Sequence, residues 1–314
     1  MATWNLGPCR ETAHGIFSRE FAPVITIDSG DTVVYQTLEA GWGLEPRNPW
    51  DPDHVRRTFD DWDPDRRGNG HCLVGPVEIR GAKPGMTLEV RVDEIRVGDW
   101  GWTGCWTSPI SEGAGVKDGE WDYLVWSLDA DKNLAENRFG HQVKLRPFMG
   151  VMGMPPDEPG HHSTAPPRRT GGNLDCKELV AGTTLFLPIE VEGGLFSLGD
   201  GHAVQGDGEV SGTAIECPME RVAVTLSLHE DMPMPSPRAR IPGAWITFGL
   251  NEDLDQAAFA AVSDMVTILS ERFDVSRAAA LALASVAVDV HVTQYVNGVK
   301  GAHAILRDDA ILKC

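Results

Sequence analysis

The chain has 314 residues, 42% hydrophobic and 23% charged, an ordinary globular make-up long enough for one large domain or two closely packed lobes. Its 46 acidic residues outweigh 27 basic ones for a net charge of −19, which repels phosphate backbones and anionic bilayers and excludes nucleic acid and membrane as natural partners. No apolar run approaches the ~20 residues of a membrane span, Met1 to Arg10 lacks a signal pattern, and the expected compartment is the cytoplasm.

In chain order, Thr26 to Thr37 is β-branched after the turn signal Ser29-Gly30-Asp31, and Val77 to Arg80 alternates before the turn Gly81 to Gly85. Leu88 to Val97 (LEVRVDEIRV) alternates apolar and polar residues as a half-buried strand does, and Thr184 to Val191 and Val222 to Leu228 repeat that pattern. Trp42 to Gly70 and Met152 to Gly172 lack periodicity and read as long irregular loops, the kind that serve as lids or linkers. After about Asn251 the period changes. Asp253 to Phe273 has helical spacing, Ser276 can cap a second, alanine-rich helix through Val288 whose lack of a polar face implies burial, and Asp289 to Val296 alternates as a strand before the turn Asn297-Gly298. These elements predict a mainly β fold of sandwich- or barrel-like sheets, with a β-rich region over 1–250 carrying the chemistry and a small α+β lobe over 251–314 packed on it. Six cysteines (Cys9, Cys72, Cys105, Cys176, Cys217, Cys314) form no C-x-x-C pair and read as reduced thiols rather than a zinc ribbon.

The densest polar segment is Gly199 to Glu209, GDGHAVQGDGE. Side chains two apart share a face of an extended backbone, so Asp200 and His202 are expected to point together, and Asp207 and Glu209 likewise. Oxygen and nitrogen donors together suit zinc or a similar divalent ion; an all-oxygen set would suit calcium. The alternative is a solvated acidic turn. Against it stand the flanking apolar runs Leu195-Phe196 and Val210 to Ile215, because buried carboxylates without a cation are costly. A second cluster, Gly171-Gly172-Asn173-Leu174-Asp175, could orient an amide or add a ligand, or could be a plain Asx turn. His14 and the pair His161-His162 read as structural or exposed, and Trp100, Trp102 and Trp106 read as core packing ahead of pocket walls.

The strings GGNLD, LFLPIEVEGGLFSLGDGHAVQGDGEVSGTAIE, GPVEIRGAKPGMTLEVRVDEI, PFMGVMGMPP and DVHVTQYVNGVKGAHAIL span nearly the whole chain and resemble the acetamidase/formamidase family. That resemblance implies hydrolysis of a small linear amide to a carboxylic acid and ammonia, a divalent metal in the site, and a homo-oligomer. By position it places Asp200, His202 and Glu209 on the family's acidic/His motif and Asn173 and Asp175 on its GGN-x-D motif. His71 stands where relatives often carry histidine before Gly75-Pro76, and Glu39 in QTLEA where they generally carry aspartate. Cys176 stands where they often carry no thiol.

The expected scheme gives the metal to Asp200 and His202, with Asp207 and Glu39 as further candidate ligands. Glu209 moves the proton, Asp175 serves as ligand or orienter, Asn173 holds the substrate amide, and His71 joins the catalytic set. A bound cation would polarise the carbonyl and lower the pKa of water to ~7. One rival is a thiol or serine amidase, for which the sequence offers neither a G-x-S-x-G elbow nor a cysteine with a neighbouring base. Another is a non-catalytic, metal-stabilised protein that binds a small ligand. A carbamate or a longer amide is the alternative substrate.

Overall fold

A computed structural model describes residues 1–46, 48 and 54–312. The fold is mainly β with a C-terminal α/β part. Nine strands form the largest sheet. Along it lie Thr3–Leu6, Asp31–Thr37, Met219–His229, Thr87–Val97, Thr184–Pro188, Arg238–Ile241, Ala244–Asn251, Lys300–Arg307 and Val288–Gln294. A six-stranded sheet carries Gly171–Asn173, Phe148–Gly153, Phe196–His202, Leu73–Ile79 and Ala13–His14, with Ile25–Ile27 pairing parallel to Leu73–Ile79. The alternation read at Leu88 to Val97 is the pleat of a central strand, whose Leu88, Val90 and Val92 are fully buried. They share one core with Val33, Tyr35, Leu185, Val222 and Val224 of the same sheet and with Val74, Val77, Phe196 and Leu198 of the smaller one. The two sheets therefore pack face to face.

A four-stranded sheet (Trp100–Cys105, Asp122–Asp129, Leu134–Asn137 and Gln142–Lys144) stands beside this core. Its first strand is tied to the loop before Met219 by the Trp102 and Glu216 backbones, which exchange both hydrogen bonds. The segment read as an irregular loop over 42–70 contains a short helix, Pro64–Arg67, capped by Asp63; residues 47 and 49–53 of it lie outside the described residues. The segment over 152–172 begins as the end of a strand, Phe148–Gly153, and contributes the short strand His162–Ser163 against Ile16–Phe17.

The C-terminal helices follow their sequence signals. Asp253 caps Leu254–Phe273 by accepting from the Gln256 amide, and Ser276 caps Arg277–Ala287 by accepting from the Ala279 amide. The first helix packs on the sheet through Ala261, Met265 and Leu269 against Ala304 and Leu306. The second corrects an expectation. Only Ala280 and Ala284, one i,i+4 stripe, are buried, while Leu281 and Val286 are exposed. A helix docked on one narrow stripe of small residues leaves most of its circumference outside, whatever its composition. Five cysteines, all those among the described residues, are free thiols, and among the described residues no helix is long and apolar enough to cross a membrane.

Candidate active site

The strands of the smaller sheet deliver the polar residues to one place. Phe196–His202 runs antiparallel to Phe148–Gly153, pairing Gly199 with Val151 and His202 with Phe148; Gly171–Asn173 flanks the same strand, pairing Asn173 with Val151. Gly150 thus lies between Asp175 on one side and Asp200 and His202 on the other. A Cβ built on Gly150 would come within 2.7 Å of Asp175 Oδ1 and 2.8 Å of His202 Cε1, and closer still to Asp200 Oδ2. Only a bare backbone leaves these side chains room to converge. Filling this cradle is an overpacking change of about 1–3 kcal/mol. Gly150→Ala is therefore expected to destabilise the fold by about 1–3 kcal/mol, read as a fall in melting temperature.

Five ionisable groups meet here and all are buried: Asp175 (1% exposed), Asp200 (2%), His202 (1%), Glu209 (6%) and Glu216 (4%). His202 Nε2 lies 3.3 Å from both Asp200 Oδ1 and Glu216 Oε2. Donor atoms of Asp175, Asp200 and His202 all fall within 4.8 Å of one another, as do those of His202, Glu209 and Glu216. Several acceptors are left without a protein hydrogen-bond partner although buried: Asp175 Oδ1, Glu209 Oε2 and Asn173 Oδ1. Three of the carboxylate residues hold left-handed backbones, with φ of 49° at Asp175, 60° at Asp200 and 48° at Glu209. Such conformations cost about 1–3 kcal/mol each and persist where function over-determines them.

The electrostatics follow from crowding. Burial raises Asp175 and Glu216 to about 7 each, against the pull of His202. Burial and the Asp175 charge push Glu209 well above the ordinary carboxylate range. Burial also opposes the Asp200 charge, yet His202 and His71 hold that carboxyl well below its usual value. His202 is disfavoured as a cation by burial, but Glu216 and Asp200 overcome this and raise it well above an ordinary imidazole. Four acids and one imidazole in one dry space can share protons or share a cation.

The other residues singled out from sequence fall as follows. His71 lines the same cavity, its Nδ1 2.9 Å from Thr164 Oγ1. Asn173 donates to the Ala165 carbonyl at 2.9 Å, which aims its amide. Asp207 does not join Glu209. Gly208 (φ 89°) and Glu209 (φ 48°) are both left-handed, so the alternation of an extended strand fails there, and Asp207 turns outward to Lys177 (2.9 Å) and His291 (3.0 Å). Glu39, fully buried, is consumed by the Gly43 amide, the Arg56 guanidinium and the Trp102 indole at 2.9 Å. Its carboxylate positions a wall of the cavity and has no free oxygen to offer a metal. Trp102 and Trp106, read as core, line the cavity instead. His14 is buried and structural, held by the Ile16 carbonyl and Ser197.

Two residues escaped the sequence reading. Glu216 is a single acid inside the apolar run Ala214-Ile215-Glu216-Cys217, and a lone charge in a buried stretch was the available signal. Asn297 served only as a turn marker; its side chain reaches back to donate to Asp175 Oδ2 at 2.6 Å.

The cavity above this cluster has a volume of about 380 Å³. The profile described as the Acetamidase/Formamidase family matches residues 9–163 and 159–305 of the chain. Among curated proteins, the acetamidase of Mycolicibacterium smegmatis is 50% identical over 48 residues, 15% of this chain and 12% of that protein. A putative formamidase of Schizosaccharomyces pombe is 27% identical over 245 residues, 59% of this chain and 56% of that one. The chain thus spans at most about half the length of these two relatives. The crystal structure of an acetamidase from Bacillus halodurans is similar throughout, with a TM-score of 0.83 and 28% identity over 96% of this chain and 97% of that one.

Proposed function

The chain belongs to the acetamidase/formamidase family, and from that premise we propose that it hydrolyses small linear amides to a carboxylic acid and ammonia with the help of a divalent metal, zinc in the first instance. The observation that carries the reading is the convergence of Asp175, Asp200, His202, Glu209 and Glu216 around the Gly150 cradle, with buried acceptors left unpartnered. Oxygen and nitrogen donors fit zinc or a similar ion. Asp200, His202, Asp175 and Glu216 would hold it, and when bound it would supply Lewis acidity to the amide carbonyl.

The chain's own residues do the rest. Asn173, with its side-chain oxygen free and its NH₂ group fixed on Ala165, accepts from the substrate amide and orients it. Glu209, held as a proton-hungry carboxylate, takes a proton from the attacking water as the water oxygen bonds to the amide carbon. The same proton passes to nitrogen as the C–N bond breaks, and ammonia leaves. Asn297 keeps one oxygen of Asp175 engaged so that the other faces the cluster. Trp102 and Trp106 limit water around the reacting carbon.

Metal analysis of the purified protein, combined with an ammonia-release screen on formamide, acetamide and propionamide, tests this. Stoichiometric metal and release that stops on exhaustive chelation and returns with zinc are expected. Activity that persists after the metal is gone, or metal-loaded protein that releases ammonia from none of them, would overturn it.

A further inference from the structure

A cavity of about 380 Å³ is far larger than formamide or acetamide needs and lies in the range that accepts ligands of many heavy atoms. Its wall is chemically asymmetric. The acid cluster forms one part, while Arg67, Trp42 and Asn69 contribute another. Arg67 sits in the last turn of the helix Pro64–Arg67, half-buried, with its guanidinium 3.9 Å from the Trp42 ring centroid. Trp42 is itself 1% exposed and fixed by its indole N–H on the Gly70 carbonyl, so the stacked guanidinium is held in place. Two arginines of the same segment are paired, Arg56 with Glu39 and Arg57 with Glu45, while Arg66 is turned away onto the Glu11 and Gly75 carbonyls. Among the described residues no carboxylate pairs with Arg67, whose hydrogen bond goes to the Gly68 carbonyl at 2.7 Å. Burial lowers its pKa, the direction expected of a guanidinium that has given up water.

We propose that this cavity takes amides carrying a carboxylate a few bonds from the amide carbon, and that Arg67, stacked on Trp42, binds that carboxylate. The inference rests on the amidase reading above and narrows its substrate class. Guanidinium matches carboxylate in planar, two-point fashion. The acid cluster would repel the tail, so charge alone fixes the orientation, with the amide toward Asp200 and His202 and the carboxylate toward Arg67. The reaction adds water to the amide carbon and breaks the C–N bond; nitrogen leaves as ammonia with a proton from water, and the organic product is a dicarboxylate.

The test is a matched pair, succinamate and its neutral counterpart butyramide, with malonamate and glutaramate varying the spacing. A charge-assisted contact contributes about 1.5–3 kcal/mol. The wild-type preference in kcat/KM for succinamate is therefore expected to be roughly 10- to 100-fold, mostly in KM. Arg67→Gln should collapse that ratio toward one and Arg67→Lys should restore part of it. Calorimetric binding of the two amides reads the same contact without turnover. Equal kcat/KM and equal binding for the pair in wild type overturn the inference while leaving the amidase reading intact. Tight succinamate binding, sensitive to Arg67→Gln but without ammonia release from any amide, supports the carboxylate site and sinks the amidase reading instead.

Discussion

Replacing Glu209 with glutamine is expected to lower kcat for a turned-over amide by roughly 10²- to 10⁴-fold, the usual worth of general acid–base catalysis, with metal content close to wild type. Glutamine keeps the size of the side chain and its place after Gly208 but cannot take up a proton. Glu209 is the group in the cluster best suited to that task. It is buried with Oε2 unpartnered, and crowding raises its proton affinity well above an ordinary carboxylate. A base of normal carboxylate strength would be too weak near neutral pH. The contrasting variant is Asp200→Asn. Asp200 is the acid that stays ionised, drawn down by His202 and His71, so its loss should strip the metal and the rate together. Parallel metal analysis and steady-state kinetics on both variants separate the roles. Full kcat in metal-loaded Glu209→Gln would move proton transfer to another group, with Asp175 the next candidate.

What the sequence made legible depended on how local the determining physics is. The pleat of Leu88 to Val97, the cap at Ser276 and the turn at Asn297-Gly298 are fixed by neighbours in the chain, and each stands in the structure as the pattern predicts. Asp200 and His202 meet because both lie on one strand of the smaller sheet, Phe196–His202. The two-residue rule broke down at Asp207 and Glu209, where consecutive left-handed residues rotate the chain and send one acid indoors and the other to Lys177. Glycine in GDGE permits that turn but does not announce it. The remaining misses are contacts between distant segments. Glu39 is engaged by an ion pair with Arg56 and a hydrogen bond from Trp102, and Asn297 meets Asp175 across 122 positions. Glu216 joins His202 through a bridge between their backbones. No spacing within a motif encodes such meetings; they follow from how the sheets and loops pack.

Under the proposed metal-assisted scheme, the same crowding makes the stability of the protein depend jointly on metal and pH. In the metal-free protein, burial lifts Asp175 and Glu216 to about 7, whereas unfolded carboxyls titrate near 4. Between those values the folded metal-free state holds more protons than the unfolded one. Its stability from these groups is therefore present at low pH and is lost as pH rises through about 7. A divalent cation held as proposed would replace those protons, so its binding would displace the two carboxyl protons below pH 7 and only the His202 proton above it. With two such carboxyls the apparent metal affinity should fall by up to about 100-fold per pH unit below 7, roughly 3 kcal/mol. The measurement is the difference in melting temperature between zinc-loaded and metal-free protein from pH 8 to pH 5, which should be large at pH 8 and shrink toward zero at pH 5. Taking the difference cancels His14 and His303, which burial lowers to about 3 and about 4 and which penalise both forms alike as pH drops below the unfolded imidazole value. Glu216→Gln supplies the internal control, since it removes one buried acid. It should raise the melting temperature of metal-free protein at pH 8, lower that of the zinc-loaded form, and flatten the pH dependence of their difference. A difference that does not change with pH, or a Glu216→Gln that shifts both forms in the same direction, would mean that these carboxyls do not share a cation.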